Sequence, residues 1–196
     1  MKSITFKVKG VTPVILHNGG MASPLNPYSA KLATISKKRN KTLADFAEIS
    51  DIEWLGSHYW KEPIEQEKTV TIPARVLQGC LSEAAKKHKL GKDFGRSATC
   101  ISDGLFEFDG PQDVATRMHD PEFRLTCMVA VQRSRVLRTR PLYNQWAINT
   151  WKIEYDETQL DESQITTIME TAGSVTGLGD GRSWVRYGRF NIERIS

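Results

Sequence analysis

Residues 177–190 carry Gly177, Gly179, Gly181 and Gly188, interleaved with Arg182, Arg186 and Arg189 and with Trp184, Tyr187 and Phe190. Glycine lets a backbone approach a ligand closely and adopt positive φ. Runs of exposed N–H groups cradle phosphates. Guanidinium groups add charge and forked donors, and aromatic rings stack on bases. Such a segment suits RNA or single-stranded DNA, with Gly179, Arg182, Trp184, Arg186, Tyr187 and Arg189 as the contacting residues. The alternative is a tight connection whose Tyr187 and Phe190 face the core while the arginines point outward.

A second basic stretch holds Arg133, Arg135, Arg138 and Arg140, with Ser134 and Thr139 between them. In an extended strand Arg133 and Arg135 share one face, and Arg138 and Arg140 the other. A turn or bulge at Val136 and Leu137 would bring all four to one side, where they could contact phosphates. Tyr143 and Trp146 follow closely and are read as stacking surfaces. The competing reading is a solvated hairpin balanced by acids elsewhere. The basic residues 37–41 read as a solvated turn, and Lys86, Lys87 and Lys89 as charges suited to a helix C-terminus.

For cleavage chemistry the candidate is His17, because imidazole titrates near neutrality. Tyr28 or Lys31 could assist it, but the sequence supplies no defined partner. His58, His88 and His119 are scattered, without the spacing that binds metal. Cys80, Cys100 and Cys127 form no close pair, so no zinc site is expected. Gly177 and Gly179 follow a helix and precede a strand, the reverse of a dinucleotide-binding turn. The expectation is a binding protein without metal or cofactor, rather than an enzyme.

Elements must position these groups. At 196 residues, 39% hydrophobic and 26% charged, the chain can fill one globular core. The net charge of +4 matters only because the cations cluster. No apolar run is long enough to span a membrane, the N-terminus lacks a signal-peptide pattern, and the odd cysteine count fits a reducing cytoplasm.

Alternation predicts a strand at 4–8, resumed at 14–16, then an irregular loop at 17–27. Helices are expected at 28–38 and 42–59. Thr42 and Asp45 form a capping box for the second, and Leu43, Phe46, Ile49 and Trp54 are its expected buried stripe. A strand at 68–72 precedes a helix at 75–89. Val76, Leu77, Cys80, Leu81, Ala84, Ala85 and His88 fall on one face of that helix, and Gly91 is its expected stop. Residues 91–122 read as irregular except for a strand at 105–108. Strands follow at 123–131 and 145–155. A helix at 161–172 is capped by Asp161 and Gln164, buries Ile165, Ile168, Met169 and Ala172, and stops at Gly173. A strand at 190–195 ends the chain. The order predicts an α+β, ferredoxin-like (RRM-like, split βαβ) core. A helical insertion at 17–66 and an arginine-rich hairpin extension within 91–145 elaborate this single domain.

Two segments resemble the RAMP superfamily, the ferredoxin-like RNA-binding subunits of CRISPR effector complexes. Ile72, Pro73 and Gly79 match the family's entry to its first helix, with Ala74 and Gln78 departing from the usual glycine and lysine. Tyr187, Gly188, Arg189 and Phe190 match the end of its glycine-rich loop. The chain also looks like phage and prophage proteins through His17, Asn18 and Gly19, through Leu90, Gly91 and Lys92, and through Arg138, Thr139, Arg140 and Pro141. The resemblance implies binding of single-stranded RNA or DNA, RNA favoured. It also implies self-association side by side, or interference with a host CRISPR complex, in the cytoplasm of a bacterial host. The alternatives are a metal-independent RNA endonuclease and an anti-defence protein acting through protein contacts.

Overall fold

The computed structural model describes residues 1–61, 69–131, 134–182 and 186–195. In chain order the elements are β1 (Lys2–Gly10), β2 (Val14–Ile15), α1 (Pro27–Ser36), α2 (Leu43–Gly56), β3 (Thr71–Ile72), α3 (Ala74–Lys87), α4 (Gly91–Ser97) and β4 (Ala98–Cys100). There follow β5 (Gly104–Phe108), α5 (Val114–His119), β6 (Arg124–Val131), β7 (Ser134–Tyr143), β8 (Trp146–Tyr155), α6 (Glu162–Thr171) and β9 (Phe190–Arg194). The fold is α+β. The chain divides into two compact units, one of residues 1–14, 60–109 and 144–196, the other of 15–59 and 110–143.

The first unit is built on one antiparallel sheet ordered β3-β5-β8-β1-β9, with β4 also pairing β8. β4 meets the end of β8 at Tyr155 and β5 its beginning at Trp146, so the two are halves of one interrupted strand. The chain order β1-α3-β5-β8-α6-β9 on that sheet is the split βαβ arrangement expected from the sequence. Alternation in β1 buries Ile4, Phe6 and Val8. α3 buries Leu77, Cys80, Leu81, Ala84 and Ala85 at helical spacing, and α6 buries Ile165, Ile168 and Met169. Each large side chain fully buried here contributes roughly 1.5–3 kcal/mol.

Some boundaries differ from expectation. Gly91 does not end α3: Lys89 takes the left-handed turn (φ 62°), and Gly91 opens α4. The stretch read as irregular holds α4, β4 and α5, which are short and lack a long apolar period. α6 continues through a wide turn at Ala172–Thr176, so Gly177 (φ 79°) and not Gly173 ends it. The loop expected to be without regular structure contains a 3-10 turn, Gly19–Ala22, capped by the Asn18 side chain.

The second unit joins α1, α2 and α5 to the β6–β7 hairpin, whose register runs unbroken from Arg124 opposite Pro141 to Val131 opposite Ser134. The expected capping box is present. Thr42 Oγ1 accepts from Asp45 N at 3.2 Å, and Asp45 Oδ2 accepts from Thr42 N at 2.8 Å. The expected stripe of α2 is displaced. Leu43 and Phe46 are 89% and 54% exposed, whereas Trp54 is buried as expected, together with Asp45, Ile52, Glu53 and Gly56. Asp45, Ile52, Glu53 and Gly56 follow one helical line, two of them acids, while Trp54 lies across the helix from it, so apolar spacing alone finds only part of what is buried.

Candidate nucleic-acid interface

In the first unit the glycine loop is held by its own backbone. Gly177 N–H donates to Ala172 O at 2.7 Å, Leu178 N–H to Gly188 O at 2.9 Å, and Gly188 N–H to Pro13 O at 2.7 Å. Gly188 sits at φ 71°, and a Cβ there would collide with the Leu178 carbonyl. Only glycine fits both demands. Thr12 ties the far end: its Oγ1 donates to Arg186 O at 3.0 Å and accepts from Arg189 N–H at 2.9 Å. The expected phosphate cradle of glycine amides is corrected in part. The N–H groups of Gly177, Gly181 and Gly188 are spent on protein acceptors, so anion binding here falls to side chains.

Those side chains are crowded cations. Arg182 pairs with the exposed Glu83 on α3, Nη2 to Oε2 at 2.8 Å. Arg189 Nη2 donates to Arg182 O at 3.3 Å, while its Nη1 is buried with no hydrogen-bond partner among the described residues. Burial holds the Arg189 pKa below its usual value, and the nearby Arg186 and Arg182 charges push the same way. Arg186 is exposed at φ 60°. Tyr187 is partly exposed, as is Gly179. Trp184 lies outside the described residues. Beneath the loop, burial pushes the Cys80 thiol up to about 12, and its Sγ donates to Gly177 O at 3.3 Å.

Trp146 is buried rather than available for stacking. Its ring lies on Phe106 and against Phe190, and Nε1–H donates to Thr12 O at 2.8 Å.

In the second unit, an open cleft of about 370 Å³ gathers His17, Arg138, Arg140 and Glu53 above an apolar floor of Met21, Leu32 and Ile49. Arg138 Nη1 bonds Glu53 Oε1 at 2.7 Å, and Thr139 N–H bonds Oε2 at 2.9 Å. The buried carboxylate is thus satisfied by a guanidinium and a backbone amide. Arg124 does similar work beside it, bonding Asp51 Oδ1 at 2.8 Å and Ser50 Oγ at 2.6 Å. Tyr143 is also corrected. It is fully buried, with Oη 2.7 Å from His58 Nε2, while His58 Nδ1 lies 2.9 Å from Trp54 O. A carbonyl can only accept, so Nδ1 carries the proton and Nε2 accepts from tyrosine. Burial lowers the His58 pKa to about 3 and raises that of Tyr143.

The structure therefore brings together His17, Arg138 and Arg140. It does not bulge β7 at Val136 and Leu137, so Arg135, which is exposed, stays on the opposite face from Arg138 and Arg140. Arg133 lies outside the described residues. Thr12, Glu53 and Glu83 were missed. Glu53 has a sequence signal, lying eight residues after Asp45 and four after Ile49 on one helical line; Thr12 and Glu83 have none. Lys86, Lys87, Lys89, Lys92 and Arg96 form a further exposed run of cations around the α3–α4 junction. Among the described residues no group of three His, Cys, Asp or Glu side chains is placed to hold a metal, and no helix is long and apolar enough to cross a membrane.

No protein-family model matches the chain, and no curated protein matches it by sequence. Among solved structures it resembles the crystal structure of Cmr6 from Pyrococcus furiosus. The TM-score is 0.43 at 9% identity, over 96% of this chain and 97% of that one. A likeness at that score and identity defines neither a site nor a function.

Proposed function

We propose that this chain binds single-stranded nucleic acid, RNA in preference to DNA, without cleaving it, in the manner of a RAMP-type subunit. The observation that carries the reading is the crowding of Arg182, Arg186 and Arg189 on a loop that spends the amides of Gly177, Gly181 and Gly188 on protein acceptors. Like charges this close cost free energy when the site is empty, and a polyanion repays it. Glu83 offsets one of the three. Tyr187 offers a partly exposed ring for a base.

The test is equilibrium binding to labelled RNA and DNA oligonucleotides across a salt series, together with sequencing of any nucleic acid that copurifies from cells. Binding should weaken linearly in log–log form as counterions are released. Absence of binding at low salt would sink the proposal.

A second reading has one observation in its favour: His17 shares a cleft with two arginines, which is the setting for metal-independent RNA cleavage. Cleavage by the wild type that is lost in His17→Ala, with binding kept, would establish it. If the wild type cuts no RNA, this reading is removed.

A further inference from the structure

We propose that two copies of the chain pair edge to edge through β6, antiparallel, about a two-fold axis at Cys127. Among the described residues β6 has one neighbour, β7, in a sheet ordered β2-β7-β6. Alternate backbone N–H and C=O groups of an edge strand point outward and template another strand. Proteins block such edges with charges, prolines, bulges or short length. β6 uses none of these. It runs for eight residues, contains no proline, and keeps an unbroken register with β7. Its one charged residue, Arg124, stands at the end and is engaged by Asp51. Met128 and its ladder partner Leu137 are 57% and 55% exposed.

The chemistry of the edge selects the occupant. An alternating row of amide donors and carbonyl acceptors between apolar side chains matches both hydrogen-bonding groups of a peptide strand and offers a polyanion no cation to pair with. The sequence of β6 fits itself. In an antiparallel register centred on Cys127, Thr126 faces the partner's Met128, Leu125 faces the partner's Val129, and Arg124 faces the partner's Ala130. No like charges oppose one another, and on one face Leu125 meets Val129 on either side of the facing Cys127 pair, while Thr126 and Met128 meet on the other. Such a contact is isologous, so it closes at two copies and does not propagate as a filament. It is independent of the nucleic-acid reading.

The test uses the full chain after nuclease treatment, in about 0.5 M salt, which suppresses surface ionic association. At about 100 µM, where even weak interfaces populate, light scattering should report twice the monomer mass and a return to monomer on dilution. Met128→Lys and Ala130→Lys replace exposed edge residues and should each give a monomer with an unchanged circular dichroism spectrum. Leu43→Lys, which removes an exposed apolar side chain from α2, should stay dimeric. Mild oxidation should cross-link the wild type and not Cys127→Ser, since Cys80 and Cys100 are buried. A monomer at every concentration, a dimer that survives both lysine variants, or an open-ended series of oligomers would each overturn the proposal. Loss of RNA binding with the dimer intact would count only against the proposed function.

Discussion

The arginines of the two units have opposite fates. In the second unit Arg138 and Arg124 are locked to Glu53 and Asp51, each with further hydrogen bonds fixing hairpin to helix. In the first unit Arg182, Arg186 and Arg189 crowd one loop, and Glu83, which is exposed, pairs with Arg182. A buried ion pair is consumed by the fold, because breaking it leaves a charge without water or partner. A crowded cluster whose one paired acid is exposed contributes little to stability and keeps more of its potential for a ligand. Identical residues thus serve different ends, and the contrast is sharpest between Arg138, paired to the buried Glu53, and Arg182, paired to the exposed Glu83.

Arg138→Ala gives the largest effect and tests that division directly. It leaves Glu53, 4% exposed, with only the Thr139 amide. The expected loss is about 3 kcal/mol, the low end for a broken buried pair, since the Arg138 side chain is itself 34% exposed. Urea denaturation measures it. Unchanged stability with lost RNA binding would erase the distinction between the units.

The first unit's architecture was legible because β1, α3 and α6 carry clean apolar periods and α6 carries a capping box. The buried face of α2 was not, since Asp45 and Glu53 lie on it and are paired by Lys38 and Arg138 from elsewhere in the chain. Hydropathy scores a paired acid as though it were solvated. Tyr143 and Trp146 misled for the reverse reason. Next to arginines they look like stacking rings, yet each is buried with its polar atom satisfied, Tyr143 by His58 and Trp146 by Thr12. What stayed visible at the site was the glycine loop, where positive φ at Gly177, Gly179, Gly181 and Gly188 is the direct reason for those residues.

Acid should separate the second unit's core from its charges. His58 is neutral in the fold with a pKa near 3, against an ordinary 6.5. The unfolded chain therefore takes up a proton that the native state refuses. Stability is complete above about pH 6.5 and falls as pH drops toward 3, by about 2 kcal/mol at pH 5. His58→Gln should abolish this slope in denaturation midpoints between pH 7 and 5. Asp45, held down to about 2 by Lys38 and then Thr42, acts lower: its contribution is lost only as pH falls from about 4 toward 2. A smaller effect follows from the cap itself, with Thr42→Ala costing about 1 kcal/mol in the same assay.

Arg186 gives the smallest change in stability and the sharpest contrast with Arg138. It is a non-glycine residue at φ 60°, a conformation that costs an L side chain of order 1 kcal/mol. Its backbone is held there by the bond from Thr12 Oγ1 to its carbonyl. Structurally, glycine would serve better. Arg186→Gly should leave the fold as stable or up to about 1 kcal/mol more stable. It should also reduce the magnitude of the log affinity against log salt slope for RNA by about 1, the signature of one lost phosphate contact. A destabilised protein with an unchanged slope would make Arg186 another fastening, and the cationic loop would lose its claim to a ligand.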